Sequence, residues 1–453
     1  MRLLSRAPQR APGTRVRAIV TNDLLGTVMS LQTSAGPTGS IDGVATLVAA
    51  ARADGPTLWL DAGDLTGGPL WSLTGRRSWK MFTDLDIDAM AVGNHELDEG
   101  VRALGAGRTA LPFPLLCADV VELGLPDATL LETSGGTIGV IGLTNPHLDR
   151  LAPAPRPADP GDPVRHAARR LRNAGAQWVI SLQHDGVDWW PVRGGIGVSA
   201  ERWVRSTASW RSSVDAVLGG HTLGAWYDDR GDTVFGHAHP FATSALVVDF
   251  LDGAVLIRGL VKIPHDVAPS SLRYQAAEVL RSSRTQLVGE NPHLLTTSPR
   301  GPRDRYLPRV VAEAIRSDAG AEAAFLLSSS FFTQAPLDGA SASLAAGPVS
   351  RLDLHRLFPF PGDDIVVIEL EAGEAESLVA THDYLAAPAE RAGDAEWWNW
   401  NRVPAGLSTT KEHPRTVAVT QYSLPLVERW LQRRPAAHRV GGARAALERW
   451  FAR

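Results

Sequence analysis

Short apolar runs recur along the first half of the chain, and most give way to a polar turn containing Gly. Residues 16–21 (VRAIVT) predict a buried strand followed by the turn Asn22-Asp23-Leu24-Leu25-Gly26. Residues 58–64 (LWLDAGD) predict a second strand ending on Asp64, and Ile87 to Val92 a third that runs into Asn94 and His95. Residues 137–143 and 178–182 continue the series, the latter ending on Gln183-His184-Asp185-Gly186, and Val214 to Leu218 ends on Gly219-Gly220-His221. Residues 111–120 are a further strand candidate. Between the strands lie helical periods at 41–53, with Ile41, Val44, Leu47 and Val48 on one side, and around 76–86 and 164–175. The repeated Pro of 151–163 predicts a loop. Runs at 233–238, 245–250 and 254–262 predict antiparallel strands that close the unit. Strands alternating with helices, with polar groups at the strand ends, predict an α/β layered domain with its site at one sheet edge.

A second unit follows. Residues 306–318 predict a helix, 324–330 a strand, 358–374 a hairpin-like pair and 416–420 a strand. The domain reading is 14–264 for the first unit, 265–305 for a Ser-, Pro- and Arg-rich linker with a helical middle, and 306–453 for a smaller α+β unit.

Composition narrows the class. A chain of 453 residues suits two domains, and 44% hydrophobic with 21% charged residues is the balance of a soluble globular protein. The formal net charge of −4 implies no nucleic-acid or membrane partner. With Cys117 as the only cysteine, an intrachain disulfide and a cysteine zinc site are both excluded. The basic N-terminus lacks an apolar h-region and no run is long enough to span a bilayer, so a cytoplasmic protein is expected. There is no Walker A loop, no G-x-G-x-x-G after a strand and no G-x-S-x-G elbow.

The turns themselves hold the chemistry. Asp23, Asp64, Asn94-His95, His184 and His221 all follow apolar runs. Carboxylate, amide oxygen and imidazole together suit Mn, Fe, Zn or Mg. Asp98, three residues beyond His95, is placed to hydrogen-bond its ring.

The segments TNDLLG (21–26), DAGDLTGG (61–68), GNHELDEG (93–100), LQHDG (182–186) and GGHTLG (219–224) together resemble the metallophosphoesterase (calcineurin-like) superfamily, in its 5′-nucleotidase branch. The family pattern is D-x-H, G-D, G-N-H-[DE], H and G-H-x-H. Residues 320–375 resemble the C-terminal domain of the same branch. The resemblance implies a two-sheet α/β sandwich followed by a smaller α+β domain. It implies that Asp64, Asn94, His184 and His221 hold one metal, that Asp23 belongs to a second, and that Asp64 bridges both. His95 would face the phosphate and assist the leaving group, oriented by Asp98. The implied activity is metal-dependent hydrolysis of a small phosphate ester, with a nucleotide as the inherited guess.

Two positions depart from the pattern. Leu25 and Leu223 stand where the family has His, and both missing imidazoles belong to the metal held by Asp23. Leucine binds no metal, so one or two divalent ions per chain are expected, one of them firmly held. The second site is either abandoned or rebuilt with His237 and His239, which instead have a plain reading as a strand face or substrate contact. The N-G-G-G-x-R turn of the family is replaced by Ser328 to Thr333, leaving Phe331, Phe332 and the Trp397-Trp398-Asn399-Trp400 run as candidate stacking surfaces. Two alternatives stay open: a catalytically silent relative that binds a ligand or partner, and a non-phosphatase metal-dependent biosynthetic enzyme.

Overall fold

A computed structural model describes residues 3–30, 32–33, 36–74, 79–148, 152, 154–192, 195–222, 224–296, 307–327, 343–358, 364–374, 404–409, 414–421 and 423–453. Leu223, Phe331, Phe332 and the Trp397–Trp400 run lie outside the described residues.

The first domain is built on two sheets. The larger has seven strands in the order Leu3–Leu4, Ala254–Lys262, Ser244–Leu251, Thr14–Thr21, Thr57–Asp61, Ala89–Ala91, Leu115–Leu116. The smaller has six, in the order Trp226–Asp228, Val234–His237, Ala216–Leu218, Trp178–Gln183, Gly136–Leu143, Ala128–Thr133. Side chains alternate across a strand, so one strand serves two cores. From Thr14–Thr21, Val16, Ala18 and Val20 meet Ile138, Val140 and Ile180 of the other sheet, while Ile19 packs outward with Ile41, Val44 and Val48 of the helix Ile41–Ala53. The far face of the smaller sheet is covered by Val164, Ala167 and Leu171 of the helix Gly161–Asn173. The layers therefore run helix, sheet, sheet, helix, as an α/β sandwich.

The second domain is a smaller α+β unit. A five-stranded sheet, ordered Pro404–Thr409, Ala323–Leu327, Thr416–Thr420, Asp364–Glu369, Ala437–Gly442, packs against the helices Leu307–Ala319 and Ala443–Phe451. Between the domains, Ser271–Thr285 is helical, and its Ala277 and Leu280 join the outer core of the first domain. Arg273 on this helix is buried and bonded to Asp42, Asp84 and the Met81 carbonyl. Among the described residues no helix is long and apolar enough to cross a membrane.

Several local expectations are corrected. The strand expected at 111–120 is only Leu115–Leu116, because Pro112 and Pro114 lack ladder donors. The helix expected around 76–86 is described only as a 3-10 turn at Trp79–Phe82. Thr83 bonds back to Lys80, and Asp84, Asp86 and Asp88 are taken up by Arg273 and Arg52, so these side chains compete with a longer helix. Val234–His237 does not join the closing antiparallel pair but runs parallel to Ala216–Leu218 in the smaller sheet. Of the expected pair at 358–374, residues 359–363 lie outside the described residues, and the described strand Asp364–Glu369 pairs with Thr416–Thr420 and Ala437–Gly442.

Candidate metal centre

The parallel strands Thr14–Thr21, Thr57–Asp61 and Ala89–Ala91 end at one edge, beside the ends of Trp178–Gln183 and Ala216–Leu218 in the facing sheet. The turns leaving these ends are tight. Asp23, Leu25, Asp64 and His221 all have φ between 46° and 66°, the left-handed region that L side chains seldom occupy. Such strain persists where the surroundings over-determine it, commonly at sites. Gly93 is a position only glycine fills: a Cβ there would lie 2.1 Å from Asp64 Oδ1.

Asp64, His184 and His221 converge, with one ligand atom from each lying within 4.8 Å of the others. His184 is fully buried, and its Nδ1 lies 2.7 Å from the Ala62 carbonyl. A carbonyl only accepts, so Nδ1 carries the proton and Nε2 is turned inward, 3.0 Å from Asp64 Oδ2. Fixing one ring nitrogen through a carbonyl is how a metal-ligating imidazole is oriented. His221 Nδ1 lies 3.3 Å from the same His184 Nε2. Asn94 is buried, and its Oδ1 has no hydrogen-bond partner. A buried amide oxygen without a donor costs about 1–3 kcal/mol. Asn94 precedes His95, whose amide bonds Asp64 Oδ1 at 2.8 Å, so its turn adjoins Asp64. One carboxylate, two imidazoles and an orphaned amide oxygen fit a divalent cation.

The electrostatics agree. Burial would raise the Asp64 carboxyl, but His184 and His95 outweigh it and hold the group well below the carboxylate range. Burial also opposes charge on His184, yet Asp64 and Asp23 push its pKa up to about 10. His221 is pushed down to about 3 by burial and by its charged neighbour His184.

Asp23 is placed differently. Its Oδ2 accepts the His221 amide and the Asn22 side-chain amide, each at 2.7 Å, and it is not part of the converging group. Burial pushes its carboxyl up to about 7. Leu25 is buried against the turn that follows Asp64: a Cβ on Gly67 would lie 3.0 Å from its Cδ2 and 3.2 Å from His95 Cγ. An apolar side chain therefore lies where the family pattern has an imidazole. His237 and His239 turn elsewhere. His237 donates from Nδ1 to the Ala238 carbonyl and accepts from Val187 N–H at Nε2, which leaves no ring lone pair for a metal. His239 Nδ1 is 3.0 Å from Ser244 Oγ, and burial pushes the pKa of both rings down to about 4. Among the described residues, neither belongs to the converging group.

His95 Nδ1 lies 2.8 Å from Asp98 Oδ2, and its Nε2 is 3.9 Å from Asp64 Oδ2. Two supports escaped the sequence reading. Glu96 is fully buried and its carboxylate accepts the backbone N–H groups of Gly93, Asp64 and Thr66, binding the two turns together. Asp185, next to His184, is buried under the fork of Arg202. The only signal for either was an acidic residue inside an otherwise buried glycine turn.

The fold and this centre define a metallophosphoesterase-type domain. Residues 16–225 match the calcineurin-like phosphoesterase family. That match covers the first domain, whose metal-binding cluster is incomplete, and over the rest of the chain the likeness is one of fold. It is 30% identical over 181 residues to a snake venom 5′-nucleotidase of Crotalus adamanteus, a match covering 36% of this chain and 28% of that protein. It is 29% identical over 235 residues to a 5′-nucleotidase of Diplobatis ommata, covering 47% and 38%. The matched stretch thus spans well under half the length of these relatives. A 5′-nucleotidase precursor from Thermus thermophilus shares the fold with a TM-score of 0.72 at 17% identity, covering 96% of both chains. So does the sulfate thiohydrolase SoxB of the same genus, with a TM-score of 0.72 at 13% identity, over 98% of this chain and 95% of that one.

Proposed function

We propose that this protein is a metal-dependent phosphoesterase that holds one cation on Asp64, Asn94, His184 and His221 and acts on small phosphate esters, nucleotides being the first class to test. The observation that carries this is the convergence of Asp64, His184 and His221; the buried, unpartnered oxygen of Asn94, next in sequence to His95, adds a fourth candidate donor. Mn, Fe, Zn or Mg would suit these donors. When bound, such an ion supplies a Lewis acid for a phosphoryl oxygen.

The chain's own groups do the rest. Asp98 fixes the His95 ring through Nδ1, which leaves Nε2 to present a proton to a departing oxygen. Glu96 holds the Asp64 turn against the Asn94 turn, so the ligands keep their spacing. Asn145 Nδ2 bonds the His184 carbonyl at 3.2 Å, and Arg202 fastens the neighbouring Asp185. Leu25 supplies an apolar wall beside His95, which supports one cation rather than two.

Metal analysis of the purified chain tests the reading: about one ion per chain is expected, lost in Asp64→Asn. Hydrolysis of p-nitrophenyl phosphate and AMP with added Mn is the activity arm. A chain that binds no divalent ion sinks the proposal and leaves a silent ligand-binding relative. The apolar wall at Leu25 also supports a second reading, a metal-dependent enzyme outside phosphate chemistry. An ion bound without turnover of any phosphate ester in a broad panel would favour it.

A further inference from the structure

The segment Gly236-His237-Ala238-His239 carries two imidazoles that, among the described residues, stay out of the converging ligands. It continues the strand Val234–His237, which runs parallel to Ala216–Leu218 with Gly236 opposite Leu218. It therefore leaves the sheet at the edge where the His221 turn begins. Its backbone is tied to two of the site's turns. The Gly236 carbonyl accepts the Gly219 N–H at 2.9 Å, the Ala238 N–H donates to Asn22 Oδ1 at 2.9 Å, and the Phe241 N–H donates to the Asp23 carbonyl at 2.8 Å.

The His237 side chain brings in a third turn. The ring is fully buried and meets Trp203 edge to face, with centroids 5.6 Å apart. Its Nδ1 lies 3.2 Å from the Ala238 carbonyl, which only accepts, so Nδ1 carries the proton and Nε2 is a bare acceptor. The Val187 N–H reaches Nε2 at 3.3 Å and the Thr222 hydroxyl at 3.4 Å. Val187 lies three residues past His184, and Thr222 one past His221. One nitrogen thus joins the two turns that bring both imidazoles to the metal centre. The turns also meet directly, because the Gly220 N–H donates to the Asp185 carbonyl at 2.9 Å. The fit is close: a Cβ on Gly186 would lie 2.8 Å from Thr222 Oγ1 and 3.0 Å from His237 Nε2.

We propose that His237 is a positioning residue for the metal centre, setting the spacing of His184 and His221 through Nε2 without touching the ion. The proposal rests on the reading of Asp64, His184 and His221 as ligands. The Val187 N–H is buried, so removing its acceptor leaves a donor unpaired unless the turn shifts. A shift there is passed along three residues to His184. Groups that fix ligands from behind commonly set metal affinity by tenfold or more.

Two substitutions separate positioning from packing. His237→Gln keeps an acceptor where Nε2 stood, while His237→Leu keeps bulk and loses the acceptor. Full-length chains stripped of metal are titrated with Mn(II) by calorimetry and with Co(II) by visible absorption. H237L is expected to bind Mn(II) about tenfold more weakly, with an altered Co(II) spectrum, and H237Q to match wild type within about twofold. If H237L fails to fold, His237→Asn replaces it, because the shorter amide reaches the Nδ1 position and still leaves Val187 without its acceptor. A folded H237L or H237N chain that binds both ions as wild type does overturns the proposal and leaves the metal reading intact. Equal weakening in H237Q and H237L also overturns it, since bulk and not the acceptor would then be at work. A wild-type chain that binds neither ion overturns the metal reading itself, and the proposal with it.

Discussion

His95 and Asp98 show how a short turn sets up chemistry at the residue scale. The ring is pinned through Nδ1 at 2.8 Å and stands 3.9 Å from Asp64 without joining the converging ligands. His95→Ala should therefore leave metal content unchanged while lowering turnover of p-nitrophenyl phosphate by about 100-fold or more. Parallel loss of metal and turnover would mean that His95 is a ligand instead. Glu96 gives a different expectation. Its carboxylate accepts several buried N–H groups, and Glu96→Gln turns one acceptor oxygen into a donor facing them. A loss of about 1–3 kcal/mol in urea unfolding is expected. The His95–Asp98 bond was legible because two residues three apart on a turn must lie close. Glu96 was not, since a carboxylate in a polar turn reads as a solvated charge until the second turn that it grips is brought beside it.

At the scale of elements, regular periodicity was read well. The helix expected at 41–53 is Ile41–Ala53, and the strand expected at 416–420 is Thr416–Thr420. Pairing was read less well, as Val234–His237 shows: its sequence is strand-like but does not state which neighbour it will take. The junction helix Ser271–Thr285 shows the same limit. Its polar sequence conceals Arg273, buried between Asp42 and Asp84. Arg273→Met keeps most of the volume but leaves Asp42 buried without its counter-charge. Chemical denaturation should register a loss of about 3–5 kcal/mol. A change within experimental error would show that the helix is held by Ala277 and Leu280 alone.

Over the whole molecule, the chain's two distant ends of the first domain are joined inside one sheet. Arg17 on Thr14–Thr21 forms a buried pair with Asp249 on Ser244–Leu251. Burial would raise the Asp249 carboxyl, but hydrogen bonds from Arg17 and the Ala11 amide hold it below its ordinary value. The folded protein thus keeps this carboxylate charged to lower pH than the unfolded chain does. Its stabilisation is full above the unfolded value of about 3.9 and is lost as pH falls through the folded value. Asp249→Asn should lower stability at neutral pH and flatten the acid limb of the stability curve below about pH 4. An acid limb unchanged from wild type would assign acid unfolding to other groups. A cation on the Asp64 centre should in turn raise the melting temperature, contributing about 2.7 kcal/mol at a concentration 100 times its dissociation constant. Asp64→Asn should abolish that shift.

The sequence by itself determined the strands and helices of regular period, such as 41–53 and 416–420, because hydrophobic periodicity is a local property. It also determined the donor types at the strand ends, since a residue's coordination chemistry is intrinsic. Tertiary structure decided which donors share a space. Asp64, His184 and His221 converge, while Asp23 turns to the His221 amide and His237 to the Val187 amide. Those choices depend on strand pairing and turn dihedrals across more than a hundred residues, such as the bond from His184 to the Ala62 carbonyl. No local pattern encodes them.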